Sequence, residues 1–101
     1  MSCYLVAAID IEDHETYRLY EQAGVEAMSG VENVELLAMD DNPIPLEGAL
    51  PGKRVVIVRF ESEAKLKEWY HGDGYQAAAR IRQKSSHTAF LMAVHGFDPA
   101  A

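Results

Sequence analysis

Two stretches of the sequence are apolar on both faces and too short to be anything but strands. Cys3–Ile9 and Arg54–Phe60 show almost no alternation of polar and apolar residues. A strand that reads this way needs cover on both sides of its sheet. A chain of 101 residues is expected to be a single domain, spanning 1–101, and it cannot supply two covering layers by itself. The expectation is that it pairs with a copy of itself and that any pocket is built against the sheet.

Composition narrows the function classes. The formal net charge is −7, and no basic stripe offsets it, so nucleic acid and anionic membrane surfaces are not expected as partners. No apolar run approaches the ~18 residues needed to span a bilayer. The N-terminus enters a strand directly without a basic leader, so no signal peptide is expected. A single cysteine, Cys3, leaves no internal disulfide and fits a reducing cytoplasm. It opens an apolar strand and reads as a packed thiol. The charge is uneven: residues 1–50 hold eleven acids and one base, Arg18, while residues 51–101 hold five acids and eight bases. Two solvated faces of opposite sign account for this, and exposed pairs between them would add little.

Along the chain, Cys3–Asp10 reads as a strand. Asp13 can cap a helix whose apolar side is Tyr17, Tyr20, Gly24, Ala27 and Met28, a spacing of about 3.6 residues per turn; Ser29-Gly30 ends it. Val34–Asp40 reads as an alternating strand. Residues 43–52 hold three prolines and two glycines and cannot be regular structure. Lys53–Glu61 is a third strand. Ser62 caps a helix carrying Leu66, Trp69 and Tyr70, Gly72-Asp73-Gly74 breaks it, and Tyr75–Lys84 is a second helical piece. Thr88–His95 is the fourth strand, closed by Gly96. Asp13 precedes Tyr20, and Ser62 precedes Trp69, by the same offset, so the order β-α-β-β-α-β looks like a duplication. Two such units with right-handed crossovers give an α+β, ferredoxin-like split βαβ fold, a four-stranded antiparallel sheet with its helices on one face. The other face is apolar whichever set of strand one it shows, Leu5, Ala7 and Ile9 or Tyr4, Val6 and Ala8. A bare apolar sheet marks an association surface, and two of them facing each other make a dimeric α+β barrel.

Several local patterns agree in order and spacing. They are Tyr4-Leu5; Asp13 with Tyr17 and Tyr20; Glu47-Gly48; Arg54–Phe60 followed by Ser62; Trp69-Tyr70; Tyr75-Gln76-Ala77-Ala78; Arg82-Gln83; and Val94-x-Gly96. Together, over roughly residues 3–96, the chain resembles the uncharacterised bacterial family known as domain of unknown function 1330, which is similar to the dimeric α+β barrel superfamily. The resemblance implies a fold and not an activity. It also leads one to expect a glycine pair after the first helix, where Gly30-Val31 stands, and acids at two positions held here by Arg59 and His95.

Candidate site residues follow from chemistry and place. Glu47, in the stiff proline loop, could act as a general base, or be a solvated turn residue beside a Gly48 that needs an unusual backbone angle. His87, entering strand four, is the histidine best placed to point into a cleft as an acid or base. Arg82 lies two helical turns beyond Tyr75, and an arginine with a tyrosine hydroxyl suits a carboxylate or enolate oxygen; the alternative pairs Arg82 with an acid of helix one or of the dimer partner. Arg54 is a second such cation. Tyr17, Trp69, Tyr70 and Tyr75, with Tyr20, form an aromatic set that suits a small planar ligand between helix and sheet, or plain core. No His-x-x-x-His pair or His/Cys cluster occurs, so no metal site is expected. Phosphate-loop, dinucleotide and Gly-x-Ser-x-Gly motifs are missing, and no cofactor is expected. Two readings remain open. One is a cofactor-independent enzyme for a small organic acid, by proton transfer or oxygenation. The other is a non-catalytic binding or structural dimer.

Overall fold

The computed structural model describes residues 1–99. Its elements are β1 (Cys3–Ile11), α1 (His14–Met28), β2 (Glu35–Asp40), β3 (Arg54–Phe60), α2 (Glu63–His71), α3 (Asp73–Ser85) and β4 (Ser86–His95). The strands form one antiparallel sheet in the order β2-β3-β1-β4. The two strands that lack alternation are thus the two inner ones, and the α+β, ferredoxin-like arrangement expected from the sequence is the one adopted.

The local signals explain the element boundaries. Asp13 holds an extended backbone and its Oδ1 accepts from the Thr16 amide at 3.1 Å, satisfying one of the orphan donors that open α1. Ser62 does the same for α2, accepting from the Lys65 amide at 3.2 Å. The break between α2 and α3 is narrower than the Gly72-Asp73-Gly74 sequence suggests. Only Gly72 leaves the helical path, and α3 already starts at Asp73, an acid in a first turn where the helix dipole favours it. At the other end α3 runs without a loop into β4 at Ser86, two residues before the expected start.

All three helices lie on one sheet face. Cys3, Leu5, Val58 and Phe60 point from the strands into a cluster with Leu66 and Trp69 of α2 and with Tyr75, Ala78 and Ala79 of α3. Phe60 is fully buried, which contributes about 1.5–3 kcal/mol relative to exposure, and its ring sits 5.2 Å from that of Trp69. The smallest dimension of the molecule is 16 Å, enough for one sheet and one helical layer. The opposite face has no helix over it. There Val6 of β1 is in register with Ile57 of β3 on one side and Met92 of β4 on the other.

One expectation is corrected. β2 does not alternate simply, because its pairing with β3 slips between Leu36 and Ala38. The extra residue at this bulge turns Leu36 and Met39 to the same, helix-covered side, as an inserted residue in a strand must. Arg59 and His95, where the resemblance suggested acids, each face a carboxylate: Arg59 contacts Glu35 on β2, and His95 contacts Glu63 on α2. Among the described residues no helix is long and apolar enough to cross a membrane.

Candidate functional site

Between α1 and the sheet the packing leaves a cavity of about 270 Å³. Its floor is Leu5, Ala7 and Ile9 of β1 with Val56 and Val58 of β3, the inward-pointing set of two adjacent strands. Its roof is α1, where Tyr17, Tyr20, Gly24 and Met28 recur at helical spacing and so share one side. Gly24 helps create the space, since a Cβ placed there meets nothing within 4 Å. Trp69 and Tyr75 close one end, and Leu36 and Met39 flank the β2 side. A neighbouring depression of about 330 Å³ shares Trp69 and Tyr75, but is otherwise lined by small and charged residues such as Glu32, Lys65 and Glu68.

Polar groups enter this apolar space in two places. The first is Arg54. Its Nε and Nη2 bind Asp41 at 2.5 and 3.0 Å, Nη1 lies 3.4 Å from Glu21, and the guanidinium sits 5.6 Å from the centre of the Tyr17 ring. Arg54 lines the cavity, but two carboxylates already hold it. The Asp41 carboxyl is correspondingly kept below its ordinary range, first by this hydrogen bond. Tyr17 is buried, and burial pushes its hydroxyl up to about 12.

The second place is a chain of side chains reaching into α3. Arg82 is 4% exposed, and its Nη1 donates to the Tyr75 hydroxyl at 2.7 Å. That hydroxyl lies 2.8 Å from the hydroxyl of Tyr20, and the Arg82 guanidinium is 5.8 Å from the centre of the Tyr20 ring. Burial raises the Tyr75 pKa strongly, with the Tyr20 contact adding to it. At neutral pH Tyr75 is therefore uncharged. Burial opposes the Arg82 cation, but a guanidinium does not lose its proton in a protein, and the Tyr75 oxygen accepts from it. No carboxylate pairs with Arg82 among the described residues, contrary to the pairing with an acid of helix one that its place in the sequence allowed. Buried charges are ordinarily paired, so this one is unusual.

The structure therefore brings Tyr17, Arg54, Trp69 and Tyr75 to the cavity and puts Arg82 directly behind it. Tyr70 lies elsewhere. It packs on Trp69 and Tyr75 by ring contacts, but it borders a groove toward β4. Glu47 is exposed in the proline loop, next to Gly48 at φ +79°, and does not line the cavity. His87 is exposed on the edge strand opposite Asp10, and it too does not line the cavity. In the sequence Tyr20 stands out only as part of an aromatic stripe. Its i, i+3 spacing from Tyr17 was the available signal, but the contact with Tyr75 spans 55 positions and no local pattern reports it. Among the described residues no group of three His, Cys, Asp or Glu could hold a metal ion.

Comparison with known proteins gives a family and a fold. The family described as "Domain of unknown function (DUF1330)" matches residues 2–97. No curated protein matches the chain. Among solved structures, a protein of unknown function from Rhodopseudomonas palustris superposes with a TM-score of 0.73 at 15% identity, over 97% of this chain and 84% of that one. A protein from Bacteroides fragilis, described as dimeric, of unknown function and with a ferredoxin-like fold, gives 0.59 at 12% identity over 94% and 96%. A protein of the ethyl tert-butyl ether (ethd) family from Bacillus halodurans gives 0.54 at 11% identity over 96% and 99%. At these identities the likeness is one of fold alone.

Proposed function

Because this chain belongs to the DUF1330 family, whose description assigns no activity, we propose its function from the site: it is a homodimeric module that binds a small, mainly apolar organic acid in the helix–sheet cavity. The observation that carries this reading is an apolar cavity of about 270 Å³ backed by a buried arginine that has no carboxylate partner among the described residues. Apolar walls with a few convergent polar groups are what small-molecule sites need. The homodimer is supported by the helix-free apolar sheet face and by the B. fragilis protein of this fold that is described as dimeric. A reducing cytoplasm remains the compartment that a lone buried Cys3 fits.

A catalytic form of the same reading, cofactor-independent proton transfer or oxygenation, is supported by the phenols. Hydroxyls that stay protonated suit an enolate oxygen. It also needs a base. Glu47 and His87 are the proposed proton carriers, and both would have to reach the ligand from outside the cavity lining. Binding alone makes no such demand, and it is the reading we favour.

The test exploits Gly24. Benzoate, cinnamate and 2-naphthoate are screened by thermal denaturation against the native protein and Gly24→Leu. At a hundredfold excess over Kd a ligand stabilises by about 2.7 kcal/mol, a rise of several degrees in Tm. The leucine enters open space, so the unliganded variant should be no less stable, since glycine inside a helix costs about 0.5–1 kcal/mol relative to alanine. The ligand-induced rise should disappear. Equal stabilisation of both proteins would place binding elsewhere, and no stabilisation by any acid would remove the reading.

A further inference from the structure

We propose that the oxygen of the bound molecule is held by the Tyr20–Tyr75 hydroxyl pair, with Arg82 acting through Tyr75, and that this pair selects carboxylate or enolate ligands over hydrocarbon and cationic ones. This rests on the cavity reading above and adds the contacting atoms and the selectivity.

Arg82 Nη1 donates to the Tyr75 oxygen at 2.7 Å, and the two phenol oxygens lie 2.8 Å apart. That single contact uses one of the two phenolic hydrogens. If Tyr75 donates to Tyr20, the Tyr20 hydrogen is left over; if Tyr20 donates, the Tyr75 hydrogen is. A phenol that accepts from a guanidinium is polarised to donate onward, so the favoured direction runs Arg82 to Tyr75 to Tyr20 and leaves the hydrogen on Tyr20. Both tyrosines line the cavity.

Among the described residues the Tyr20 hydroxyl has no hydrogen-bond partner besides Tyr75. Buried Nε of Arg82 and Nε1 of Trp69 also lack acceptors among the described residues, and Trp69 stacks on Tyr75 with ring centres 4.0 Å apart. Among the described residues the only carboxylate in the lining is Glu21, and Arg54 engages it. This end of the cavity therefore holds unused donors on Tyr20 and Trp69, a nearby buried positive charge and, among the described residues, no free carboxylate. A carboxylate or enolate oxygen supplies the missing acceptor and the opposite charge. A hydrocarbon supplies neither. An ammonium group adds donors and a like charge. Arg82 itself does not line the cavity, so its charge is delivered through the phenols rather than by a direct grip, and it is a positioning residue.

Calorimetric titration with 2-naphthoate, 2-methylnaphthalene and 2-naphthylmethylammonium tests this. The native protein should prefer naphthoate to the hydrocarbon roughly tenfold or more, the scale of a hydrogen bond to a charged group, and bind the ammonium weakest. The Tyr20→Phe/Tyr75→Phe double variant should lose that preference while binding 2-methylnaphthalene as before, which reports an intact cavity. Tyr20→Phe alone, at a half-buried position, should lower the preference severalfold and serves if the double variant does not fold. A preference retained in these variants overturns the proposal. A native protein that binds naphthoate and methylnaphthalene alike also overturns it, but leaves the cavity reading standing. Binding of neither probe removes both.

Discussion

Tyr17 and Tyr75 hold their protons more firmly than free tyrosines because burial disfavours the phenolate. Tyr17 is pushed up to about 12 and Tyr75 is raised further. A folded-state pKa above the unfolded value, about 10, contributes stability that is complete below pH ~10 and is lost as pH rises through the folded value. In that window the unfolded chain has released protons that the folded one keeps, so the slope of stability with pH is negative. Each tyrosine contributes at most about 1.4 kcal/mol per pH unit. Chemical denaturation at pH values from ~9 to ~11.5 should show the midpoint falling, and Tyr17→Phe should make the fall shallower. An unchanged slope in that variant would mean that the Tyr17 hydroxyl is accessible to base in the folded protein. The two arginines of the site differ in the same terms. Arg54 is neutralised by Asp41 and Glu21 and ties α1 to the chain leaving β2. Arg82 has no carboxylate partner among the described residues, only the Tyr75 hydroxyl and the Tyr20 ring, and stays receptive to an anion.

The elements are held in place by a few close approaches, and Gly52 makes one of them. A Cβ on Gly52 would come within 2.8 Å of the Ile9 nitrogen and 3.0 Å of the Ala8 carbonyl carbon. These are backbone atoms of an inner strand and cannot swing aside. The next amide, Lys53, donates to Asp10 at 2.9 Å, so the end of the proline loop is pinned against β1. Gly52→Ala should therefore cost about 1–3 kcal/mol, the usual scale of overpacking, read as a drop in the denaturation midpoint. No loss would mean that the loop lifts freely from the strand. Much at this scale was legible in sequence. The caps Asp13 and Ser62, the two inner strands and the loop between residues 43 and 52 follow from residue type and spacing, because each reports a local constraint. What escaped was non-local. The bulge that turns Leu36 and Met39 together is set by pairing with β3. The direct passage of α3 into β4 replaces a loop that turn composition led us to expect. The same division separates the site residues. Tyr17, Trp69 and Tyr75 could be proposed from helical periodicity, whereas the outward positions of Glu47 and His87 depend on which way a loop and an edge strand face.

For the whole molecule, the question is what lies on the sheet face that has no helices. Its centre is Val6 between Ile57 and Met92, and Met92 and Val94 are 46% and 43% exposed. Four strands at ~4.8 Å spacing and about seven residues at ~3.3 Å make a patch roughly 19 Å by 23 Å, about 440 Å². Two such patches facing each other remove on the order of 900 Å² from water, short of the ~1,600 Å² of a standard stable interface. The proposed dimer therefore needs more contact than the sheets alone supply. The proline loop is the available source, because Ile44 and Leu46 stand 83% and 91% exposed within it, a costly way to carry large apolar side chains unless something covers them. Two consequences separate the sheet from the loop. Ile57→Lys buries a charge at the centre of the facing sheets and should give a folded monomer by light scattering at micromolar concentration. Leu46→Asp removes only the loop's share, so it should leave a dimer that dissociates on dilution at a concentration where the native protein does not. A monomeric native protein would mean that the apolar face is wet and that the homodimer is wrong. A native dimer unaffected by Ile57→Lys would mean that the copies associate through another surface, with the sheet left open to a different partner.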